Sequence, residues 1–185
     1  MDKPQTRRLF FGVEIPEGIK QRLLWIQTPM VGARWQTPEQ MHLTLVFLGS
    51  VEAQRFEDVR EAARNLPLKP FELTVAGLGC FGHPDHPKNL WAGVHSVDEL
   101  AELKGMLSQR LAFSGFALEK RAFRPHITLA RFKKESSSVR EVLQKHQAFH
   151  AGTFLVTTFA LVESNIGEQG SVYQVVETFP LVGAE

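Results

Sequence analysis

At 185 residues the chain has the length of one domain, at roughly 100–200 residues per domain, which excludes two large ones. Apolar residues make up 43% and charged residues 22%, a globular balance that leaves no room for a disordered, collagenous or coiled-coil reading. Lysine plus arginine (21) against aspartate plus glutamate (20) leaves +1, too little for a broad surface that grips long duplex nucleic acid.

The single cysteine, Cys80, allows neither an internal disulfide nor a cysteine-rich zinc site, and points to a reducing, cytoplasmic setting. Met1 to Arg8 is polar, and the apolar run after it is cut by Glu14 and Pro16, too early for a secretory leader. No stretch approaches the roughly 18 apolar residues of a membrane span.

In chain order, β-forming segments alternate with segments of helical period. Leu9–Ile15 predicts a strand, and Glu17–Gln27 a helix with Ile19, Leu23 and Ile26 on one face. Met41–Leu48 predicts a second strand, and Gly49-Ser50 lead to a charged helix over Ala53–Asn65 that stops before Pro67. Phe71–Phe81 predicts a third strand, Gly82–Pro87 a loop, and Leu90–Val94 a fourth strand. Ser96–Ala112 predicts the longest helix, with Ser96 and Glu99 as a capping box and Leu100, Leu103, Leu107 and Leu111 in helical spacing. Ile127–Phe132 predicts a fifth strand, and Ser136-Ser137-Ser138 a mobile connector ending in the cap of a helix over Ser138–His146. Thr153–Glu163 and Val172–Phe179 close the chain as strands around a turn at Gly167 and Gly170.

This order repeats. Leu9-Phe10-Phe11-Gly12-Val13 recurs as Leu90-Trp91-Ala92-Gly93-Val94 after 81 residues, and His42-Leu43-Thr44-Leu45 as His126-Ile127-Thr128-Leu129 after 84. Phe71, Thr74 and Leu78 recur as Phe154, Thr157 and Leu161 after 83. Two copies of a unit this long exclude a solenoid. They predict one domain over 1–185 built from two repeats, about 8–87 and 88–180, related by a pseudo-two-fold axis that turns the two His-x-Thr strands toward a shared groove.

On a strand, His42 and Thr44 share one face while Leu43 and Leu45 share the other, and His126 and Thr128 do the same. With the leucine faces in the core, each His-Thr pair lines the groove. Two facing imidazoles suit a reaction that removes a proton from one oxygen and delivers one to a leaving oxygen. Threonine hydroxyls can donate to the oxygens of a pentavalent phosphorus between them. A zinc site fits less well, because each strand offers one ligand and zinc takes three or four. Cys80 lacks any motif of a nucleophile, and the loop His83-Pro84-Asp85-His86-Pro87 reads as solvent-facing rather than metal-binding.

At these residues the sequence resembles the two-histidine phosphoesterases, and within them the RNA 2′,3′-cyclic phosphodiesterases once called 2′-5′ RNA ligases. The likeness runs through Arg8-Leu9-Phe10-Phe11, Arg34-Trp35, His42-Leu43-Thr44-Leu45-Val46-Phe47-Leu48-Gly49, Leu90-Trp91-Ala92-Gly93 and Pro125-His126-Ile127-Thr128-Leu129-Ala130-Arg131. It implies an α+β bilobal fold, two pseudo-symmetric lobes of antiparallel sheet flanked by helices around a central groove. It also implies hydrolysis of an RNA 2′,3′-cyclic phosphate to a 2′-phosphate with no metal and no cofactor. His42 would be the general acid, His126 the general base, and Thr44 and Thr128 would hold phosphate oxygens.

Arg131 matches the arginine that follows the second motif in this family, yet five residues from His126 it falls on the opposite face of a regular strand, so a bulge or a strand end must bring it in. Arg124 has the right parity and is the reserve. Phe10 either stacks on a base or packs in the core. Many family members carry an arginine just before Leu-Trp-Ala-Gly, where this chain has Lys88-Asn89. Two other functions use the same groove: 2′-5′ ligation in the reverse direction, and an RNA-end or nucleotide-binding module without turnover. The expected partner is RNA with a cyclic phosphate end, or a nucleoside cyclic phosphate; no membrane is expected, and the protein is expected to be a monomer.

Overall fold

The computed structural model describes residues 5–183; residues 1–4, the first half of the polar N-terminal stretch, and residues 184–185 lie outside the described residues. Nine strands form one antiparallel sheet: β1 (Thr6–Glu14), β2 (Ala33–Trp35), β3 (His42–Glu52), β4 (Phe71–His83), β5 (His86–His95), β6 (His126–Phe132), β7 (His150–Val156), β8 (Thr158–Gly167) and β9 (Gly170–Pro180). Four helices accompany them: α1 (Glu17–Leu24), α2 (Phe56–Ala63), α3 (Val97–Phe113) and α4 (Arg140–Lys145). The sheet order is β7-β4-β5-β6-β3-β1-β8-β9, with β2 added to β6.

This order interleaves the sequence. The strand bearing Phe71 lies beside the strand bearing Leu90, and the strand bearing Leu161 lies beside the strand bearing Leu9. One half of the sheet, β4 to β7, therefore comes from the middle of the chain, and the other, β1, β3, β8 and β9, from its two ends, so the halves do not coincide with the two repeats. The halves meet at β3 and β6 through a single bridge, Leu43 to Ile127. Beyond it β3 continues along β1 while β2 takes over the edge of β6, so the sheet splays and opens a groove at the seam. Leu43 and Ile127 face the opposite way, into a core that also receives Ile19 and Leu23 of α1, Val59 and Ala62 of α2, and Leu100, Leu103, Leu107 and Leu111 of α3. Each of those four leucines is fully buried and contributes about 1.5–3 kcal/mol by leaving water.

Several local expectations need correction. Thr153–Glu163 is two strands, not one: the chain breaks at Thr157, β7 pairs with β4, and β8 crosses to β1. Gly49-Ser50 do not end β3; Gly49, at φ 73°, sits where the register between β1 and β3 slips, and the strand continues to Glu52. The span Gly82–Pro87 is the tip of a hairpin in which His83 pairs with His86, leaving only Pro84-Asp85 as the turn. Ser96 makes no capping box; it turns β5 into α3 with φ 85°, and its side chain caps nothing. The serine connector is pinned rather than loose: Ser137 exchanges hydrogen bonds with Val31, and Ser138 donates to Asp85. Ala33–Trp35, too short to show a period, is a strand. Among the described residues, no helix is long and apolar enough to cross a membrane.

Candidate active site

The two His-x-Thr segments lie antiparallel about the Leu43–Ile127 bridge. That register sets His42 across from Thr128 and Thr44 across from His126. The histidines therefore occupy one diagonal of a four-residue square and the threonines the other. With strands about 5 Å apart and alternate residues about 6.5 Å apart, the diagonal spans roughly 8 Å between Cα atoms, room for a phosphate between the imidazoles.

Both rings are oriented by the chain two residues upstream. His42 Nδ1 lies 2.8 Å from the Gln40 carbonyl and His126 Nδ1 lies 2.6 Å from the Arg124 carbonyl. A carbonyl only accepts, so Nδ1 of each ring carries the proton and Nε2 faces the groove. His42 Nε2 accepts from the Thr44 hydroxyl at 2.9 Å. Each ring is also walled by aromatics: Phe10 and Tyr173 each stand with ring centroids 4.8 Å from His42, and Phe81 stands edge-on at 4.9 Å from His126. Burial pushes the His42 pKa down to about 4, with the positive charge of Arg131 adding to the effect against the Gln40 carbonyl. His126 is lowered too, by burial first and then by Arg131.

The parity problem at Arg131 is resolved by a bulge. Trp91 pairs with Thr128 and Leu90 with Ala130, so Leu129 is an extra residue in β6. Leu129 and Ala130 are both buried in succession, and Arg131 returns to the face of His126 and Thr128. The same bulge occurs at Leu45 in β3, where Gly12 pairs with Thr44 and Phe11 with Val46. His42–Leu48 and His126–Phe132 share one burial pattern residue for residue. Phe47 thus stands where the second motif has Arg131, and its ring takes the Arg8 guanidinium at 4.8 Å.

Arg124 lies just before β6; with Thr44, Phe47 and His126 it lines a cavity of about 220 Å³. Phe10 is 4% exposed; it packs with Ala160, Val162 and Tyr173 and presents its ring to His42. Lys88 is the extra residue of a slip between β4 and β5, and Asn89 faces inward to accept from the Phe81 N–H. The hairpin residue Asp85 is held by Arg140 Nε at 2.8 Å and Ser138 Oγ at 2.9 Å. Among the described residues no three His, Cys, Asp or Glu side chains gather as a metal-binding group.

Sequence reasoning missed Tyr173, although it is the chain's only tyrosine; the matched segments of the two repeats end at Leu78 and Leu161, so no duplicate pointed to a residue on β9. Trp91, 81 residues after Phe10, was legible as its counterpart and does stand near His126, at 6.1 Å between centroids.

Residues 33–168 match the model of the 2′-5′ RNA ligase superfamily. Proteins named RNA 2′,3′-cyclic phosphodiesterase are similar along nearly their whole length: the Aquifex aeolicus protein is 31% identical over 92% of this chain and 91% of its own, and the Archaeoglobus fulgidus protein 28% identical over 93% and 99%. The crystal structure of E. coli LigT complexed with 3′-AMP superposes with a TM-score of 0.81 at 27% identity, covering 96% of this chain and 99% of that one. The duplicated His-x-Thr strands at the groove are thus features of a chain that belongs to the 2′-5′ RNA ligase superfamily.

Proposed function

We propose that the groove hydrolyses RNA 2′,3′-cyclic phosphate ends to 2′-phosphomonoesters by acid-base catalysis that needs no metal or other cofactor. The observation that carries this reading is the diagonal placement of two histidines whose Nδ1 atoms are tied to backbone carbonyls, with Nε2 of each turned to the centre. An in-line displacement at phosphorus needs its base and its acid on opposite sides of the phosphate, as a diagonal provides. The full-length likeness to proteins named for this reaction supports the same substrate.

In this reading a water oxygen attacks phosphorus as His126 Nε2 takes its proton. The bond from phosphorus to the 3′ oxygen breaks, and that oxygen receives the Nε2 proton of a His42 imidazolium. The product is a 2′-phosphate beside a 3′-hydroxyl. Thr44 and Thr128, on the other diagonal, donate to the non-bridging oxygens, and Arg131 supplies positive charge. Arg124 flanks the water side. Phe10, with Tyr173, positions His42. The near-neutral charge and single cysteine fit a monomer acting on RNA ends in a reducing cytoplasm.

A second reading, 2′-5′ ligation, draws on one observation: a cavity of about 430 Å³ lined by Phe81, Arg121, Ala122, Arg124 and His126 lies on the side where water would enter. A 5′-hydroxyl strand could take the place of water there. The deciding experiment incubates the protein in chelator with a short RNA ending in a 2′,3′-cyclic phosphate and follows it by phosphorus NMR. A 2′-phosphate product is expected. A 3′-phosphate overturns the assignment of His42 to the 3′ oxygen, RNA bound without turnover marks a binding module, and activity only when a metal is added overturns the metal-free reading.

A further inference from the structure

Arg34 on β2 is the direct register partner of Arg131 on β6. Cross-strand partners share a face and stand about 5 Å apart, and like charges so placed repel. Among the described residues neither arginine has a carboxylate within ion-pair distance. Both are exposed, so water tolerates the pair, and an anion between or beside the two guanidinium groups would relieve the repulsion with charge-assisted hydrogen bonds.

The surroundings of Arg34 fix the end of the groove it serves. A β-carbon at Gly170, the first residue of β9, would lie 3.5 Å from Arg34 Nη1 and 3.3 Å from Gln40 Nε2. The Gln40 amide donates to the Ser171 carbonyl at 2.9 Å, and the Gln40 carbonyl holds His42. Arg34, Gln40 and the hairpin tip therefore form one unit at the His42 end. The cavity with Arg121 and Arg124 lies at the His126 end.

The geometry points to Arg34 as a binding residue for the phosphodiester immediately upstream of the reacting nucleotide. This rests on the function proposed above. There the 3′ oxygen departs toward His42, so the ribose, and the strand leading away from its 5′ oxygen, lie at the His42 end. The next phosphate along that strand meets Arg34, while Arg131 stays with the cyclic phosphate. The substrate class is thus an RNA strand end of at least two nucleotides in preference to a free nucleoside cyclic phosphate.

The test compares kcat/KM for a dinucleotide ending in a 2′,3′-cyclic phosphate with that for the matching nucleoside 2′,3′-cyclic phosphate. Both are run with the wild-type protein and with Arg34→Gln. The wild type is expected to favour the dinucleotide by roughly tenfold, the scale of one hydrogen bond to a charged group, and Arg34→Gln to lower that ratio toward one. A dinucleotide whose internal linkage is an uncharged methylphosphonate, tested on the wild type, is expected to lose the same preference, and it gives the answer even if the variant fails to fold. The preference for the charged dinucleotide should shrink as salt is raised, because added ions screen the contact of Arg34 with the internal phosphate. Turnover of both substrates with no preference, or an equal fall on both in Arg34→Gln, overturns the upstream subsite and leaves the catalytic reading intact. Turnover of neither overturns the catalytic reading and the subsite with it.

Discussion

His42 Nε2 accepts a hydrogen bond from the hydroxyl of Thr44, two residues along the same strand, at 2.9 Å. The ring is thereby neutral and closed on itself until a ligand competes for the hydroxyl. A bound phosphate would draw the threonine proton to one of its own oxygens and place negative charge beside the imidazole. Both changes favour protonation of Nε2, so in the proposed mechanism the acid form of His42 would be assembled by substrate rather than stored in the free protein.

Replacing either histidine with asparagine should lower kcat/KM by about 10²- to 10⁴-fold, the usual worth of one positioned acid or base. Both histidines line the groove and are only partly buried, so the circular dichroism spectrum should not change. Wild-type rates in both variants would remove the histidines from the chemistry.

The pH dependence should differ between kcat/KM and kcat. In the free protein His42 titrates at about 4 and His126 below 6.5, so the kcat/KM profile, which reports the free enzyme, should be a bell with its maximum between about 4 and 6.5. Bound phosphate raises both histidines, which moves the kcat profile to higher pH. The two limbs belong to the pair and not to single residues. Rate profiles over pH 3–9 check this, and coincident maxima at or above neutrality would contradict it.

Much of this arrangement was legible in the sequence because it was written twice. A duplicated His-x-Thr on alternating apolar strands identifies the faces, and two such strands require a shared groove. The interleaving of β4 with β5 and of β8 with β1 was not legible, since pairing between strands is a tertiary choice that local pattern leaves open. The break at Thr157 was hidden for a related reason: both sides of it are β-forming. The bulges at Leu45 and Leu129 were half legible, because an arginine at the wrong parity calls for one, yet only the register of the neighbouring strand says where the extra residue falls.

Folding stability should fall on the acid side in a window set by the same groups. Both histidine pKa values are lowered in the folded state, so between those values and the unfolded value near 6.5 the unfolded chain binds more protons. Stability is therefore full above about 6.5 and declines as pH drops toward 4. Urea unfolding at pH 7.0, 5.5 and 4.5 should show a falling midpoint, and His42→Asn should flatten the trend. An unchanged slope in that variant would place the acid sensitivity elsewhere.

Tyr173 and Phe10 each stand 4.8 Å from His42 and 5.4 Å from each other, between centroids, and the two rings together exclude water from the imidazole. Removing the ring in Tyr173→Ala should relieve the desolvation that is the main cause of the low pKa. The His42 titration, followed through its ring proton by NMR, should move up from about 4 toward 6.5, while His126, walled by Phe81, stays in place. A shift of both rings together would mean that the groove had loosened as a whole.

Two glycines stand across from the motif residues where the backbone leaves no space for a side chain. Gly12 pairs with Thr44, and Gly93 pairs with His126. A β-carbon would lie 2.8 Å from the Leu43 carbonyl oxygen at Gly12 and 2.9 Å from the Ala76 carbonyl oxygen at Gly93. Backbone cannot swing aside as a side chain does, so Gly12→Ala or Gly93→Ala must push strands apart, at a cost of about 1–3 kcal/mol. The displaced residues are those that carry the groove, so kcat/KM should fall as well. Gly105, inside α3, meets nothing within 4 Å, and Gly105→Ala should instead stabilise the protein by about 0.5–1 kcal/mol through its better helix propensity. Chemical unfolding of the three variants reads both signs. Equal, small effects at all three positions would show that β1 and β5 can yield at these points, and that the glycines are there for another reason.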